Sequence, residues 1–479
     1  MSEKKFTTKC TKILATVGPV SGNGDRETIE KIMRAGANGL RINFSHAKYE
    51  EVEQQIGWIR EMARQLDRNV SILADLQGPK IRIGNLKDDM KFEVKAGDEL
   101  NLTFGIEHDG SNNLPIQYDL SEKVKVGERL YIFDGKINTE IIDVTGKTVK
   151  VAVKNDGYFT SRKGINLPDT DFAGDVLTAK DLEDLNFAMG QDFDYVSLSF
   201  VHLPGDVKVL REILQQNKST LRIISKVETR QATEKANLEE IVKVSDGVMV
   251  ARGDMGYEVG AVIVPVIQHK IIELCQKHCK LSIVATQMMG SMENNPQPTR
   301  AETNDVATAA IEGADVVMLS EETAVGKYPS EAVAEMRKTL VYVQENLPVH
   351  AIYRREGSDK RRDALAISVV MLAEQLDAAA IIVETRSGKM ARNVAIHRPS
   401  RRIIAVSGVK SVAQQLPLLY GTRSYHAADI HADYGSKIAE RLYEQGAFGE
   451  GPVTLVIAKS SAPNFDVSVA DTIFIKTIE

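Results

Sequence analysis

The sequence predicts an α/β protein: a (β/α)8 TIM barrel with an inserted small all-β lid domain and a C-terminal α/β sheet domain. Three observations lead there. Eight short apolar runs recur between residues 12 and 323, most of them 26 to 34 residues apart, the length of one strand–helix unit with its loops. One interval, between the third and fourth runs, stretches to about 120 residues of different texture. A fresh alternation of strand-like and helical segments begins after about residue 347.

The barrel runs are KILATVG (12–18), GLRINFS (39–45), VSILADLQG (70–78), YVSLSFV (195–201), LRIISKVE (221–228), GVMVARGD (247–254), LSIVATQMM (281–289) and ADVVMLSEET (314–323). They are continuously apolar rather than alternating, as parallel strands covered on both faces should be. Within the long interval, KFEVKAGDELNLTF and ERLYIFDGKINTEIIDVTGKTVKVAVKN read as short antiparallel strands joined by Gly/Asn/Asp turns. Taking residues 79–168 as the insertion leaves 255 of residues 1–345 for the barrel, close to the ~250 typical of the fold. The barrel is therefore expected in two parts, 1–78 and 169–345. The remainder, 346–479, holds an amphipathic helix, DALAISVVMLAEQL, and the strand-like DAAAIIVET, SRRIIAVSG, VTLVIAKS and DTIFIKTI. It reads as a structural or oligomerising domain, or as a regulatory one.

Of the 479 residues, 43% are hydrophobic and 26% charged, an ordinary globular composition that excludes disordered and disulfide-scaffold classes. Sixty Lys+Arg against 66 Asp+Glu give a net charge of −6, so no general attraction to nucleic acid is expected. Cys10, Cys275 and Cys279 read as thiols; Cys275 and Cys279 are four apart on a helix, with no third or fourth ligand to complete a zinc set. The first residues show no long apolar run before a cleavage site, so no secretory leader is expected, and no stretch approaches the ~18 apolar residues of a membrane span. A cytoplasmic protein is expected.

Barrel active sites sit where the strands end. Here the second run ends in Arg41, Asn43, Ser45 and His46, the third in Asp75, and the fifth in Lys226 and Glu228. The sixth gives Arg252 and Asp254, the seventh Thr286, the eighth Ser320 and Glu322. Singly, each has an ordinary reading as a loop residue or helix cap. Together they are expected to line one pocket. Glu228 and Asp254 are two carboxylates able to share a divalent cation, Mg2+ or Mn2+, or else to form a salt-bridge cluster. Lys226, two residues before Glu228, points to the same face of the strand. An ammonium beside a metal suits an enolate or a transferring phosphoryl group. Arg41 and Arg82 add bidentate phosphate-binding capacity. The GDMG segment lets backbone amides approach an anion. Thr286 is a proton-relay hydroxyl or a capping residue.

In this order, TKILATVGP, LRINFSH, LADLQGPKIR, RKGINLP, IISKVET, VMVARGDMG, ATQMM, PTRAE and VMLSEETAVGKYP resemble the pyruvate kinase family over essentially the whole chain. The resemblance implies Mg2+-dependent phosphoryl transfer from phosphoenolpyruvate to ADP, giving pyruvate and ATP, in a homotetramer. It implies Glu228 and Asp254 as metal ligands and Lys226 as the group stabilising the phosphoryl and enolate oxygen. Arg41 and Arg82 would grip the phosphoryl group. The amides of Gly253 and Asp254 and the Thr286 hydroxyl would hold the substrate carboxylate. Thr286 and Ser320 would belong to the protonation relay, and Asn43, His46, Arg82 and Lys163 to the nucleotide phosphates.

Two departures follow from the same comparison. K+-dependent members bind the ion through residues corresponding to Asn43, Ser45, Asp75 and the Leu76 carbonyl, and carry Glu where this chain has Lys80 and usually Thr where it has Leu76. A fixed ammonium there can stand in for the ion, so K+-independent activity is expected, with a vestigial cation site. Glu321 in LSEET replaces a small residue and carries no inference.

The C-terminal VETRSGKMARNVAIHRPSRR resembles the family's effector-phosphate loop, with Thr385, Ser387 and Gly388 retaining it and Arg386, Lys389 or Arg392 adding charge. A plain strand-to-helix turn is the alternative. The effector would be a sugar phosphate or AMP. Competing readings of the whole chain are another Mg2+-dependent phosphoenolpyruvate or keto-acid barrel, a mutase or lyase, or a non-catalytic metabolite sensor. Arg41, Lys80, Arg82, Lys163, Lys226 and Arg252 are expected around one phosphate-binding cleft.

Overall fold

The computed structural model describes residues 9–45, 47–133, 135–170, 176–347, 360–427, 433–461 and 470–479. The first three strands are β1 (Lys12–Val17), β2 (Gly39–Asn43) and β3 (Ser71–Asp75). Then come eight lid strands: β4 (Phe92–Val94), β5 (Glu99–Phe104), β6 (Asn113–Ile116), β7 (Arg129–Ile132), β8 (Ile137–Thr145), β9 (Thr148–Val153), β10 (Gly157–Phe159) and β11 (Ile165–Asn166). The chain returns with β12 (Tyr195–Leu198), β13 (Arg222–Val227), β14 (Gly247–Ala251), β15 (Leu281–Ala285) and β16 (Val316–Leu319).

Strands β1–β3 and β12–β16 form one closed parallel barrel, in which all eight apolar runs take part. It closes where β1 meets β16, with Lys12 opposite Val316, while Leu14 faces Gly39 of β2. Six of these strands are buried along their whole length, which is why they read as unbroken apolar runs. Local signals set the helix ends. Asp25 accepts from the amides of Glu27 and Thr28, and Thr178 and Thr299 each form a reciprocal capping box.

The insertion leaves between β3 and β12, two strands that pair side by side. Its six-stranded sheet has the order β11-β7-β8-β9-β5-β6, and β10 pairs with β4 separately. Strand β9 alternates half-buried and buried residues, placing Val149, Val151 and Val153 inward. They join a core of the lid's own with Leu100, Leu130, Ile137 and Phe159. The outgoing and returning connections run side by side, Arg82 bridging antiparallel to Gly164.

The C-terminal sheet is β17 (Ala380–Glu384), β18 (Ile403–Ser407), β19 (Thr422–His426), β20 (Val453–Ser461) and β21 (Ala470–Ile478). Its order is β19-β18-β17-β20-β21, with only β21 antiparallel. Four of these strands match the sequence reading. Strand β19, TRSYH, escaped it because it is an edge strand with two exposed positions and no apolar run. This domain stoppers the bottom of the barrel: Leu416, Leu418 and Leu419 pack in one cluster with Leu14, Tyr195, Ile224 and Ile283 of the barrel strands. Gly39 is required there, since a Cβ would lie 2.8 Å from the Leu418 side chain. Beside that contact, buried Arg398 donates to Asp315 at 2.9 Å. Among the described residues, no helix is long and apolar enough to cross a membrane.

Candidate functional site

The C-terminal ends of the barrel strands surround a cavity of about 590 Å³. Arg41, Asn43, Ser45, Asp75, Leu76, Lys80, Arg82, Lys226, Glu228, Asp254, Thr286, Ser320 and Glu321 all line it. Residues from six strand ends thus converge with Lys80 and Arg82 of the lid's outgoing connection.

Asp75 organises one wall. Its buried carboxylate accepts from the Arg41 guanidinium at 2.6 Å and from the Ser197 hydroxyl. Arg41 also donates to Thr16 Oγ1 at 3.0 Å. Burial works against the charge of Asp75, but Lys226 and Arg41 outweigh it and hold the carboxyl below its usual range. Arg41 is thereby fixed with its remaining donor capacity toward the cleft.

Lys226 sits at the centre of the floor. Its ammonium donates to Ser199 Oγ at 2.8 Å and lies 3.6 Å from Glu228 Oε2 and 3.8 Å from Asp75 Oδ1. The Ser199 hydroxyl in turn donates to the Leu76 carbonyl at 2.7 Å. Burial works against the charge of Lys226, but Asp75 and Glu228 outweigh it and raise its pKa, so the ammonium form is favoured.

Glu228 is fully buried. One oxygen accepts from the Phe200 amide at 2.7 Å, and the other, Oε2, accepts no hydrogen bond. Burial raises its pKa despite Lys226, and the charge of Asp254 raises it further. Asp254, at the start of helix Arg252–Val259, pairs with Lys80 at 2.8 Å. A buried carboxylate oxygen with no donor, next to a second carboxylate, fits a hard divalent cation that keeps most of its waters and takes one or two protein oxygens. The donor set therefore fits Mg2+.

Thr286 has φ +68° and Gln287 φ +54°, two consecutive left-handed residues of which the first is β-branched. The turn presents Thr286 Oγ1 to the Gly253 amide, which donates to it at 2.9 Å. Because the oxygen is the acceptor, the hydroxyl proton is left to serve the cleft. Ser320 is held by its own amide, which donates to Glu322 Oε2 at 2.6 Å.

Several expected residues stand elsewhere. Arg252 is turned away from the cleft, donating to Asp305 at 2.8 Å and to the Thr286 carbonyl at 2.6 Å. It does not belong to the phosphate-facing cations, because a carboxylate and backbone carbonyls behind the turn already satisfy its guanidinium. Lys163 lies over the Phe133 ring, 4.4 Å from its centroid, within the lid and off the cavity wall. Lys80 meets Asp254 rather than Asp75, the carboxylate of the presumptive K+ cage. His46 lies outside the described residues. Sequence reasoning missed Thr16, Ser197 and Ser199. The signal was present: the first and fourth runs ended in no obvious functional group, yet the fourth carries hydroxyls at positions i and i+2 of an otherwise apolar strand.

In the C-terminal domain, Thr385 Oγ1 accepts from the Gly388 amide at 3.0 Å, and Gly388 takes φ +77° to lead into helix Lys389–Ile396. Arg386, Ser387 and Lys389 are exposed around this turn. The Ser387 carbonyl accepts from Arg392 at 3.1 Å and from Arg222 of β13 at 3.4 Å.

Cations arrayed about oxygen-donor carboxylates, at the top of a barrel with an inserted β-domain, define the cleft of a barrel enzyme suited to an anionic substrate. Two family profiles match the chain, "Pyruvate kinase, barrel domain" over residues 8–333 and "Pyruvate kinase, alpha/beta domain" over 363–468. The chain belongs to the pyruvate kinase family, and is a phosphotransferase of glycolysis. Pyruvate kinases from Staphylococcus aureus strains MRSA252 and USA300 are each 39% identical over 423 residues, covering 86% of this chain and 71% of theirs. A crystal structure of a pyruvate kinase from Cryptosporidium parvum superposes with a TM-score of 0.86 at 30% identity, covering 98% of this chain and 96% of that one.

Proposed function

We propose that this chain transfers the phosphoryl group of phosphoenolpyruvate to ADP in the cleft above β13 and β14, with Lys226 as its central catalytic group. The observation that carries this reading is the partly buried Lys226 ammonium, held 3.6 Å from Glu228 and 3.8 Å from Asp75. Such a cation is preorganised for charge that builds on a phosphoryl or enol oxygen, and needs no solvent rearrangement to act.

Arg41, gripped by Asp75, orients the phosphoryl group, with Arg82 assisting at the lid connection. The amides of Gly253 and Asp254 and the Thr286 hydroxyl receive the substrate carboxylate. The Thr286 hydroxyl, whose oxygen already accepts from Gly253, delivers a proton toward the enolate carbon, with Ser320 behind it. Asn43, His46, Arg82 and Lys163 serve the nucleotide phosphates; for Lys163 this requires the lid to bring it off the Phe133 ring into the cleft. Glu228 and Asp254 would hold Mg2+ or Mn2+, which supplies Lewis-acid charge neutralisation when bound.

Activity without K+ is supported by the Lys80–Asp254 pair, a fixed positive charge at the cleft that replaces a diffusible one. Asn43, Ser45, Asp75 and the Leu76 carbonyl remain as a vestigial cation site. The Thr385–Lys389 turn, with Arg386, Ser387 and Lys389 exposed on it, supports an effector site for a sugar phosphate or AMP. The remaining parts of the reading are a homotetramer in the cytoplasm, with the barrel in residues 1–78 and 169–345, the lid in 79–168 and the effector domain in 346–479.

The test is ATP formation by the purified chain from phosphoenolpyruvate and ADP with Mg2+, followed by coupled pyruvate reduction. Pyruvate and ATP appearing in equal amounts supports the reading. Consumption of phosphoenolpyruvate without ATP would instead indicate a mutase or lyase, and no consumption a metabolite sensor.

A further inference from the structure

We infer that Arg252 is a positioning residue: with Asp305 it holds the left-handed Thr286–Gln287 turn in the one shape that keeps the Thr286 hydroxyl at the cleft. The inference rests on the proposed role of Thr286 in carboxylate binding and protonation, and adds the device that sets it.

A β-branched residue in the left-handed region persists only where its surroundings over-determine it. At Thr286 and Gln287 those surroundings are identifiable. Arg252 Nη2 donates to the Thr286 carbonyl at 2.6 Å and to the Gln287 carbonyl at 3.2 Å, so one nitrogen fastens both strained residues. Nη1 donates to Asp305 Oδ1 at 2.8 Å and Nη2 lies 2.7 Å from Asp305 Oδ2, an ion pair that anchors the guanidinium from its far side. Gln268 and the Met288 sulfur complete the shell around a side chain that is only 9% exposed.

The neighbouring residue completes the device. Gly253, next in sequence, donates its amide to Thr286 Oγ1 at 2.9 Å. Arg252 therefore holds the back of the turn by its carbonyls while Gly253 holds the front by its hydroxyl. Asp254, the next residue again, is the carboxylate assigned to the metal. Three consecutive residues so register the proton-bearing hydroxyl against the metal-binding carboxylate. A lysine cannot reproduce this, because a single ammonium cannot meet two adjacent carbonyls and a carboxylate in one plane.

The experiment compares full-length Arg252→Met, Arg252→Lys, Asp305→Asn and Thr286→Val with the wild type. Three quantities are read: kcat and KM for phosphoenolpyruvate, exchange of the pyruvate methyl protons into D2O, and the melting temperature. If Arg252 positions Thr286, Arg252→Met lowers kcat and methyl exchange together by roughly 10- to 100-fold, with KM changed less than about threefold. Arg252→Lys falls between it and wild type, and Asp305→Asn shows a smaller loss with the same pattern. Guanidinium ion added to Arg252→Met restores part of the exchange, which a variant that merely failed to fold cannot show. The inference is overturned if Arg252→Met exchanges at the wild-type rate while Thr286→Val does not, or if its losses follow the melting temperature without guanidinium rescue. If Thr286→Val itself exchanges normally, the role of Thr286 is what fails.

Discussion

The Lys80 ammonium stands 2.8 Å from Asp254 Oδ1. It reaches the cleft from the lid's outgoing connection and places a fixed positive charge beside one of the cleft's carboxylates.

This pair predicts how activity depends on monovalent ions. In tetramethylammonium buffer with Mg2+, the wild type should run at close to its full rate, and added K+ should change it by less than about twofold. Lys80→Glu places a second negative charge beside Asp254, and should cost about tenfold in kcat/KM, ~1.4 kcal/mol. K+ should restore part of that loss. A large K+ stimulation of the wild type would contradict the expectation.

Lys226→Ala should lower kcat by about 10²–10³-fold, the range found when one preorganised donor to a developing oxyanion is removed. Mg2+ binding, followed by titration calorimetry, should persist because Glu228 and Asp254 remain. An undiminished turnover would remove Lys226 from the centre of the proposed chemistry.

Lys12 gives a pH dependence of stability. It is 1% exposed, and its ammonium donates to the Lys9 carbonyl at 3.3 Å. Burial pushes its pKa down from the usual lysine value to about 8. Between pH 8 and the unfolded-state value near 10.5, the unfolded chain binds more protons, so stability rises with pH. Below pH 8 the full penalty for the buried charge is present. Lys12→Met should therefore be stabilising by ~1–3 kcal/mol at pH 7, and the advantage should shrink toward pH 10. Urea unfolding of both proteins at the two pH values checks the sign.

Ser387→Asp should abolish activation by sugar phosphates and AMP, since a carboxylate would face the phosphate in an exposed turn. Activity titrations at low phosphoenolpyruvate would read the loss. An unchanged response to every such effector places the regulatory site elsewhere. The Arg222 bond to the Ser387 carbonyl gives the turn a direct link to β13, four residues before Lys226.

Much of this organisation was legible before any coordinates. Parallel strands buried on both faces leave unbroken apolar runs, so all eight barrel strands could be counted, and the alternating lid strands contrasted with them. Lys226 and Glu228 were placed together because a strand repeats every two residues. Strand β19 was hidden by its polar, edge-strand composition. Arg252 misled because sequence gives its distance from Asp254, not the direction of its side chain; the helix starting at that residue turns it behind the cleft toward Asp305. Lys163 depends on where the lid stands, which no local pattern encodes. Thr16, Ser197 and Ser199 were overlooked as small polar interruptions of a core strand. Thr16 lines the cleft, and Ser197 and Ser199 stand behind it, holding Asp75 and Lys226.

Asp75 and Ser197 touch across neighbouring strands although 122 residues separate them. During synthesis at ~5–20 residues per second, β1–β3 must wait on the order of ten seconds for β12, with an open sheet edge. The lid, which has its own apolar core, is the part of the chain made during that wait. Its collapse brings Arg82 beside Gly164 and delivers the returning chain next to β3. Substitutions that loosen the lid core at Leu130 or Ile137 should therefore appear first as poor recovery of newly made protein, while the molecules that do mature keep their barrel intact.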